Sequence, residues 1–231
     1  MFSTSSPSEA TEDTRPWIDV CTMAIPRLSV ERCLGSMLDC MQDRDDFRLR
    51  WLCHLDQYDG LEEHVEDTLR QMVGLCALFD DATILASKTN QGFGRGARHL
   101  LQLVEHDTLW IEDDWLWTKP FCLAEVLRVT KDCYSFVTGK TVAGAMHPSF
   151  WKKHVIDYLL EHYPPTLERI HEGTIVKILR PFSICHDSPS PTKHIGLELM
   201  KDLGFTHGWN GQRLEGRRKS PKWDGETWVR Q

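Results

Sequence analysis

No Cys-x-x-Cys pair occurs in the sequence, although it carries eight cysteines. Cys21, Cys33, Cys40, Cys53, Cys76, Cys122, Cys133 and Cys185 lie mostly inside apolar segments. Free cysteines in such places behave as small core hydrophobes, so neither a zinc framework nor a disulfide scaffold is expected. Long hydrophobic runs are missing as well. The longest, Met72 to Phe79, is far shorter than the roughly 20 residues of a membrane-spanning helix. The first residues contain no apolar signal region, so the expectation is a soluble, cytoplasmic protein with no membrane span. A basic surplus is also absent. Lys and Arg number 27 against 34 Asp and Glu, a net charge of −7, which excludes a generally basic nucleic-acid coat but not a local basic patch. No internal repeat is apparent.

What is present suits one well-cored domain with at most a small appendage: 231 residues, 41% hydrophobic and 26% charged. Residues 1–15 are Ser/Thr-rich and acidic and read as a disordered leader. Residues 16–206 read as the folded domain, and 207–231 as a basic, Trp-rich tail. "WIDVCTMAI" is a strand stopped by Pro26, and Ser29 stands at a helix N-cap before Val30, Cys33, Leu34, Met37 and Leu38 at helical spacing. "FRLRWLCHLD" (47–56) and "ATILAS" (82–87) are further strands, separated by an amphipathic helix that opens with acids. A Gly-rich turn then begins a helix, and "DTLWIEDDW" (107–115) is a fourth strand. This β-α alternation predicts an α/β fold, a mostly parallel sheet flanked by helices. The second half is less regular: "PSFWKKHVIDYLLEHY" reads as a helix and "TIVKILRPFSICH" as a long strand or strand pair.

In α/β sheets, ligands bind beyond the carboxyl ends of the strands. Three such ends carry chemistry here: Asp56, the segment Asn90 to Gly96, and Glu112-Asp113-Asp114. Adjacent carboxylates repel one another, and a divalent cation is the natural offsetting partner. Mg²⁺ or Mn²⁺ held by one or two carboxylates commonly bridges substrate phosphates. Lys88, Arg95 and Arg98 lie near the Gly-rich turn and could balance such phosphates.

These segments resemble a GT-A-fold glycosyltransferase of the family-two, nucleotide-sugar-dependent group, over roughly residues 17–120 and more weakly over 180–205. The resemblance implies a single GT-A domain, Rossmann-like, with a nucleotide-sugar donor and Mn²⁺ or Mg²⁺ as cofactor. It places Asp56 of "WLCHLDQYDG" at the nucleobase and matches "NQGFGRGARH" to the family's Asn-x-Gly turn, making Asn90, Gly92, Arg95 and Arg98 donor-binding candidates. "LWIEDDW" matches the D-x-D motif with Glu112 in the first position. Asp114 then becomes the main metal ligand, Glu112 meets ribose or metal, and Asp113 between them joins the donor-contacting and catalytic candidates. An inverting enzyme of this kind needs a carboxylate base, for which "TLERIHEG" offers Glu168, with Glu172 the alternative. His186 or His194 completes the metal shell, His186 being the first choice. "HIGLELMKDLGF" resembles the closing helix of viral-type enzymes, which would place the protein in a host cytoplasm.

Two other readings stand beside this one. Gly92-x-Gly94-x-x-Ala97 formally fits a dinucleotide fingerprint, so an NAD(P)-dependent oxidoreductase is the first alternative. The second is a nucleotide-sugar-binding module without catalysis. The acceptor is open between a glycan and a nucleic acid, such as a hydroxymethylated DNA base. The tail keeps the latter in view through Arg213, Arg217, Arg218, Lys219, Lys222 and Arg230 interleaved with Trp223 and Trp228.

Overall fold

A computed structural model describes residues 13–137, 147–163, 172–187, 189–203, 205–208 and 227–230. Its centre is a parallel pair, β1 (Trp17–Ala24) and β2 (Arg48–Leu55), in register from Trp17↔Arg48 to Ala24↔Leu55. β3 (Asp81–Ala86) extends the sheet beyond β2, and β4 (Thr108–Glu112) lies on the other side of β1, both parallel to their neighbours. All but the first residue of β1 are buried. A strand covered on both faces needs no polar alternation, which is why the sequence runs apolar there.

The two faces are covered by different helices. On one face α1 (Val30–Cys40) and α2 (Val65–Cys76) pack Leu34, Met37 and Met72 onto Val20, Trp51 and Ile111. The opposite face places α3 (Phe93–Leu101), with Ala97, Leu100 and Leu101, beside Cys21, Leu52 and Trp110. The buried positions of α1 follow the helical spacing read from the sequence. Ser29 does precede that helix, but its side chain makes no cap; its hydroxyl donates to Asp113 Oδ2 at 3.3 Å.

The second half departs from expectation in three places. The fourth strand does not run through the acids. It ends at Glu112, and Asp113-Asp114 turn the chain into β5 (Trp115–Trp117). After α4 (Leu123–Val129) and β6 (Cys133–Ser135), the segment expected to open a helix at Pro148 instead forms β7 (Ser149–Trp151). β7 lies antiparallel between β4 and β6, with Phe150 and Trp151 fully buried, and α5 (Lys153–His162) begins only afterwards. Finally, "TIVKIL" is helical. α6 (Glu172–Leu179) buries Ile175 and Leu179, four residues apart, in the cluster shared with α5, so a packed helical face overrides β-branched propensity. β8 (Ile184–His186) then pairs with β6, completing the seven-stranded order β3-β2-β1-β4-β7-β6-β8. β9 (Thr192–His194) pairs antiparallel with β5, and α7 (Gly196–Asp202) follows it. A last ladder joins β10 (Phe205–Gly208) to β11 (Thr227–Arg230) across the expected domain–tail boundary.

Two polar pins hold the irregular parts. Arg15, assigned to the leader, donates to Phe47 O at 3.0 Å and pairs with Asp80 at 3.2 Å. Asp132 ties together the starts of β6, α5 and β8. It accepts the Ser183 amide at 2.9 Å and hydroxyl at 2.6 Å, and lies 2.9 Å from His154 Nε2. Burial pushes this carboxyl up, but Ser183 and His154 outweigh it and hold it at about 2. A carboxylate depressed below its unfolded value of about 3.9 stabilises the fold above that pH, and the contribution disappears as pH falls towards 2. Asp132→Asn is therefore expected to cost about 1–2 kcal/mol near neutrality and to converge with the wild type near pH 2. A thermal melt series from pH 7 to 2 reads this; parallel curves would remove Asp132 from the acid limb.

Candidate active site

The four parallel strands end side by side, and their loops form one rim. Register brings Glu112, the last residue of β4, opposite Met23 near the end of β1. The rim therefore collects the loop after β1 (25–29), Asp56 after β2, the turn after β3, and Asp113-Asp114.

Asp56 is only 4% exposed. Its carboxylate accepts the backbone amides of Gln57 at 3.1 Å, Gln91 at 2.9 Å and Gly92 at 2.8 Å. The acid expected to read a nucleobase is thus engaged in shaping the turn. Asn90 Oδ1 accepts the same Gly92 amide at 3.0 Å, and Gly92 enters α3 with φ +76°, a conformation that favours glycine. Asp56→Ala is expected to release the Gln91 amide, leave the Gly92 amide with Asn90 Oδ1 alone, raise the hydrogen-exchange rates of both and cost about 1–3 kcal/mol. Unchanged exchange at those two amides would contradict this role.

Gly96 of α3 serves packing. A Cβ at Gly96 would collide with the His54 ring and Met23 Cε. His54 is buried, with Nε2 2.8 Å from Ser87 Oγ, and burial favours its neutral form. Tyr163 OH donates to Gly94 O at 2.7 Å, and the Arg98 guanidinium stands 5.8 Å from the Tyr163 ring centroid. Arg95 is exposed on α3, and Lys88 is exposed in the loop before it.

The two aspartates differ sharply. Asp113, 2% exposed, is enclosed by the loop after β1. It accepts Arg27 Nε at 3.0 Å and the Ile25 amide at 3.3 Å, besides Ser29, while Arg27 Nη2 pairs with its other oxygen. Leu28 between these donors has φ +59°, strained for a bulky residue by about 1–2 kcal/mol, and this bend points Arg27 and Ser29 at the same carboxylate. Burial pushes the Asp113 carboxyl up against the pull of Arg27.

Asp114 uses only one oxygen. Oδ2 lies 3.1 Å from Arg27 Nη2 and 3.0 Å from His194 Nε2. Oδ1 is buried without a hydrogen-bond partner among the described residues. Burial raises this carboxyl, but Arg27 and His194 outweigh it and lower it overall. The Ile195 amide donates to Asp114 O at 2.8 Å and so fixes the start of α7 over the acid. Glu112 Oε2 accepts Trp115 Nε1 at 3.2 Å, and the Trp115 ring packs 5.1 Å from His194, its cross-strand partner.

Of the two candidate histidines, the fold brings His194 to the acids. His186 ends β8, three strands from β4, about 14 Å away laterally at ordinary strand spacing. Sequence order could not separate them, because the β5–β9 pairing decides it. Glu168 lies outside the described residues, and Glu172 opens α6. Arg27 was missed at the sequence level. Its signal was a lone cation in the loop after the first strand, where ligand-binding loops gather.

Two of these donors stand at a spacing that a divalent cation could span. Adjacent ligands of an octahedral Mg²⁺ or Mn²⁺, each about 2.1 Å from the metal, stand about 3 Å apart, the separation between Asp114 Oδ2 and His194 Nε2. The orphaned Oδ1 offers a further lone pair. Among the described residues no group of three or more His, Cys, Asp or Glu side chains is placed to hold a metal ion. Such a cation would therefore take its remaining ligands from water, and from substrate phosphates once a donor is bound.

No protein-family model matches the sequence, and no curated protein matches it. Solved structures do. Residues 1–349 of S. aureus TarS superpose with a TM-score of 0.55 at 11% identity, covering 82% of this chain and 64% of that one. The same TarS segment in complex with UDP-GlcNAc gives 0.55 at 12% identity, covering 81% and 65%. The mannosyltransferase PcManGT from Pyrobaculum calidifontis, in complex with GDP-Man and Mn²⁺, gives 0.52 at 14% identity, covering 75% and 55%. The chain spans between about half and two thirds of the length of these structures. At such identities the likeness establishes the fold, a GT-A-like α/β sheet flanked by helices.

Proposed function

We propose that the protein is a metal-dependent glycosyltransferase that moves a sugar from a nucleotide-diphosphate sugar to an acceptor hydroxyl. The observation that carries this reading is the Asp114–His194 pair, 3.0 Å apart at the end of a central strand, with Asp114 Oδ1 buried and unpartnered among the described residues. The ligands named for the fold neighbours, UDP-GlcNAc, GDP-Man and Mn²⁺, are consistent with it.

Asp114 and His194 would hold Mn²⁺ or Mg²⁺, which supplies Lewis-acid stabilisation of the departing diphosphate. Arg27 fixes the position of Asp114 through Oδ2. Glu112, oriented by Trp115, would meet the donor ribose or the cation. Asn90 and Gly92, shaped by Asp56, form the donor-side turn, and Arg95 and Arg98 add positive charge beside it. Asp113 acts through Arg27 rather than on the substrate. In the inverting form of the reaction, the acceptor oxygen attacks the anomeric carbon as the bond to the diphosphate oxygen breaks. The electron pair leaves with the nucleoside diphosphate, and the hydroxyl proton passes to a carboxylate, for which Glu168 is our candidate. A glycan or a hydroxymethylated DNA base would serve as acceptor. The dinucleotide alternative is less well supported. Its fingerprint follows the edge strand β3, whereas such turns normally follow the first strand.

The test is a thermal-shift panel of nucleotide sugars with and without Mn²⁺. A ligand held a hundredfold above its Kd stabilises the native state by about 2.7 kcal/mol. A shift with one nucleotide sugar that requires Mn²⁺, followed by release of its nucleoside diphosphate, is the expected result. A shift with NADH alone would favour the oxidoreductase. Nucleotide-sugar binding without turnover in the presence of acceptors would favour the binding module.

A further inference from the structure

We propose that Gly196 is a positioning residue for the cation site, kept without a side chain so that Asp114 and His194 can close on one another. The proposal rests on the functional reading above. A Cβ at residue 196 would stand 2.5 Å from Asp114 Oδ2, 2.9 Å from His194 Nε2 and 3.1 Å from His194 Cε1. Those three atoms are its nearest neighbours, and two of them are the proposed ligand atoms.

The usual reasons for a glycine do not apply here. Its φ is outside the left-handed region, which among the described glycines only Gly60 and Gly92 occupy. It is the first residue of α7, a position that alanine fills without conformational strain. The would-be collision involves no backbone and no core side chain, only the ends of Asp114 and His194. Relief would therefore come from turning the carboxylate or the imidazole away, at the expense of the site rather than of the fold. The surroundings leave little alternative. Ile195 N is bonded to Asp114 O at 2.8 Å, and Met200 of the same helix is fully buried in a small cluster with Leu61, Ile25 and Tyr58. α7 cannot lift away without breaking both attachments.

The experiment measures Mn²⁺ binding to the full chain without donor, by loss of the six-line EPR signal of free Mn²⁺, alongside thermal melts. The wild type is expected to bind, Asp114→Asn not to, and Gly196→Ala to bind about tenfold or more weakly while melting no lower than the wild type. If Gly196→Ala binds like the wild type while Asp114→Asn does not, the proposal is overturned and the site reading stands. A wild type that binds no Mn²⁺, or an Asp114→Asn chain that binds it equally well, overturns both. Should Gly196→Ala fail to fold, it is combined with Asp114→Ala and His194→Ala. A triple variant that melts with the Asp114→Ala/His194→Ala double variant places the collision at the pair and supports the proposal; one that stays unfolded overturns it.

Discussion

Arg27→Met is expected to destabilise the protein by about 3–5 kcal/mol at neutral pH, the scale for removing one partner of a buried ion pair. Arg27 is 9% exposed at its side chain and bridges both acids, bonding Asp113 through two nitrogens and reaching Asp114 Oδ2 at 3.1 Å. Methionine retains the apolar stem but leaves two adjacent carboxylates without their cation. The loss should depend on pH with a definite sign. Without Arg27, burial and mutual repulsion raise the folded pKa of the pair above the unfolded value of about 3.9. The folded state then binds protons more readily than the unfolded state, so stability falls as pH rises through the raised pKa. Urea denaturation at pH 5 and pH 8 should therefore show the gap to wild type widening at the higher pH. A constant gap would mean that Arg27 contributes packing and not charge.

Asp114→Asn is expected to reduce Mn²⁺-dependent donor binding and sugar transfer at least about a hundredfold, since it removes the charge from a proposed metal ligand. Stability should change by less than about 1 kcal/mol, because asparagine can still contact His194 and repulsion from Asp113 disappears. The neighbouring substitution should behave oppositely. Asp113→Asn weakens the Arg27 pair and two further hydrogen bonds, so its main effect is on the melting temperature. Calorimetric titration of Mn²⁺ with nucleotide sugar, beside a thermal melt of each variant, separates the two. Equal losses of binding and of stability at both positions would show that the acids act as one unit.

The contrast between these neighbours illustrates what a sequence can convey. "LWIEDDW" marks a strand ending in acids, and its apolar half is buried as expected, but nothing in the string says which acid turns inward. That depends on Leu28, whose left-handed backbone brings Arg27 and Ser29 to Asp113 from 84 to 86 residues away. Asp56 was similarly visible as a strand-end acid. Its use by the Gln91 and Gly92 amides appears only when the loops after β2 and β3 lie together.

Hydrophobic periodicity and turn residues were enough to determine the alternation from β1 to β4, because each element there carries its own strand-like or helical apolar pattern bounded by turn residues. They likewise determined that several acids would stand at one edge of a parallel sheet. Tertiary structure alone decided the rest. The sheet took β7 as its next strand because Phe150 and Trp151 are buried beside β4, and α6 became helical by packing Ile175 and Leu179 with α5. His194 reached Asp114 across 80 residues because β5 and β9 pair. Local propensity acts over a few residues, whereas such partnerships depend on which distant surfaces the folded chain brings into contact.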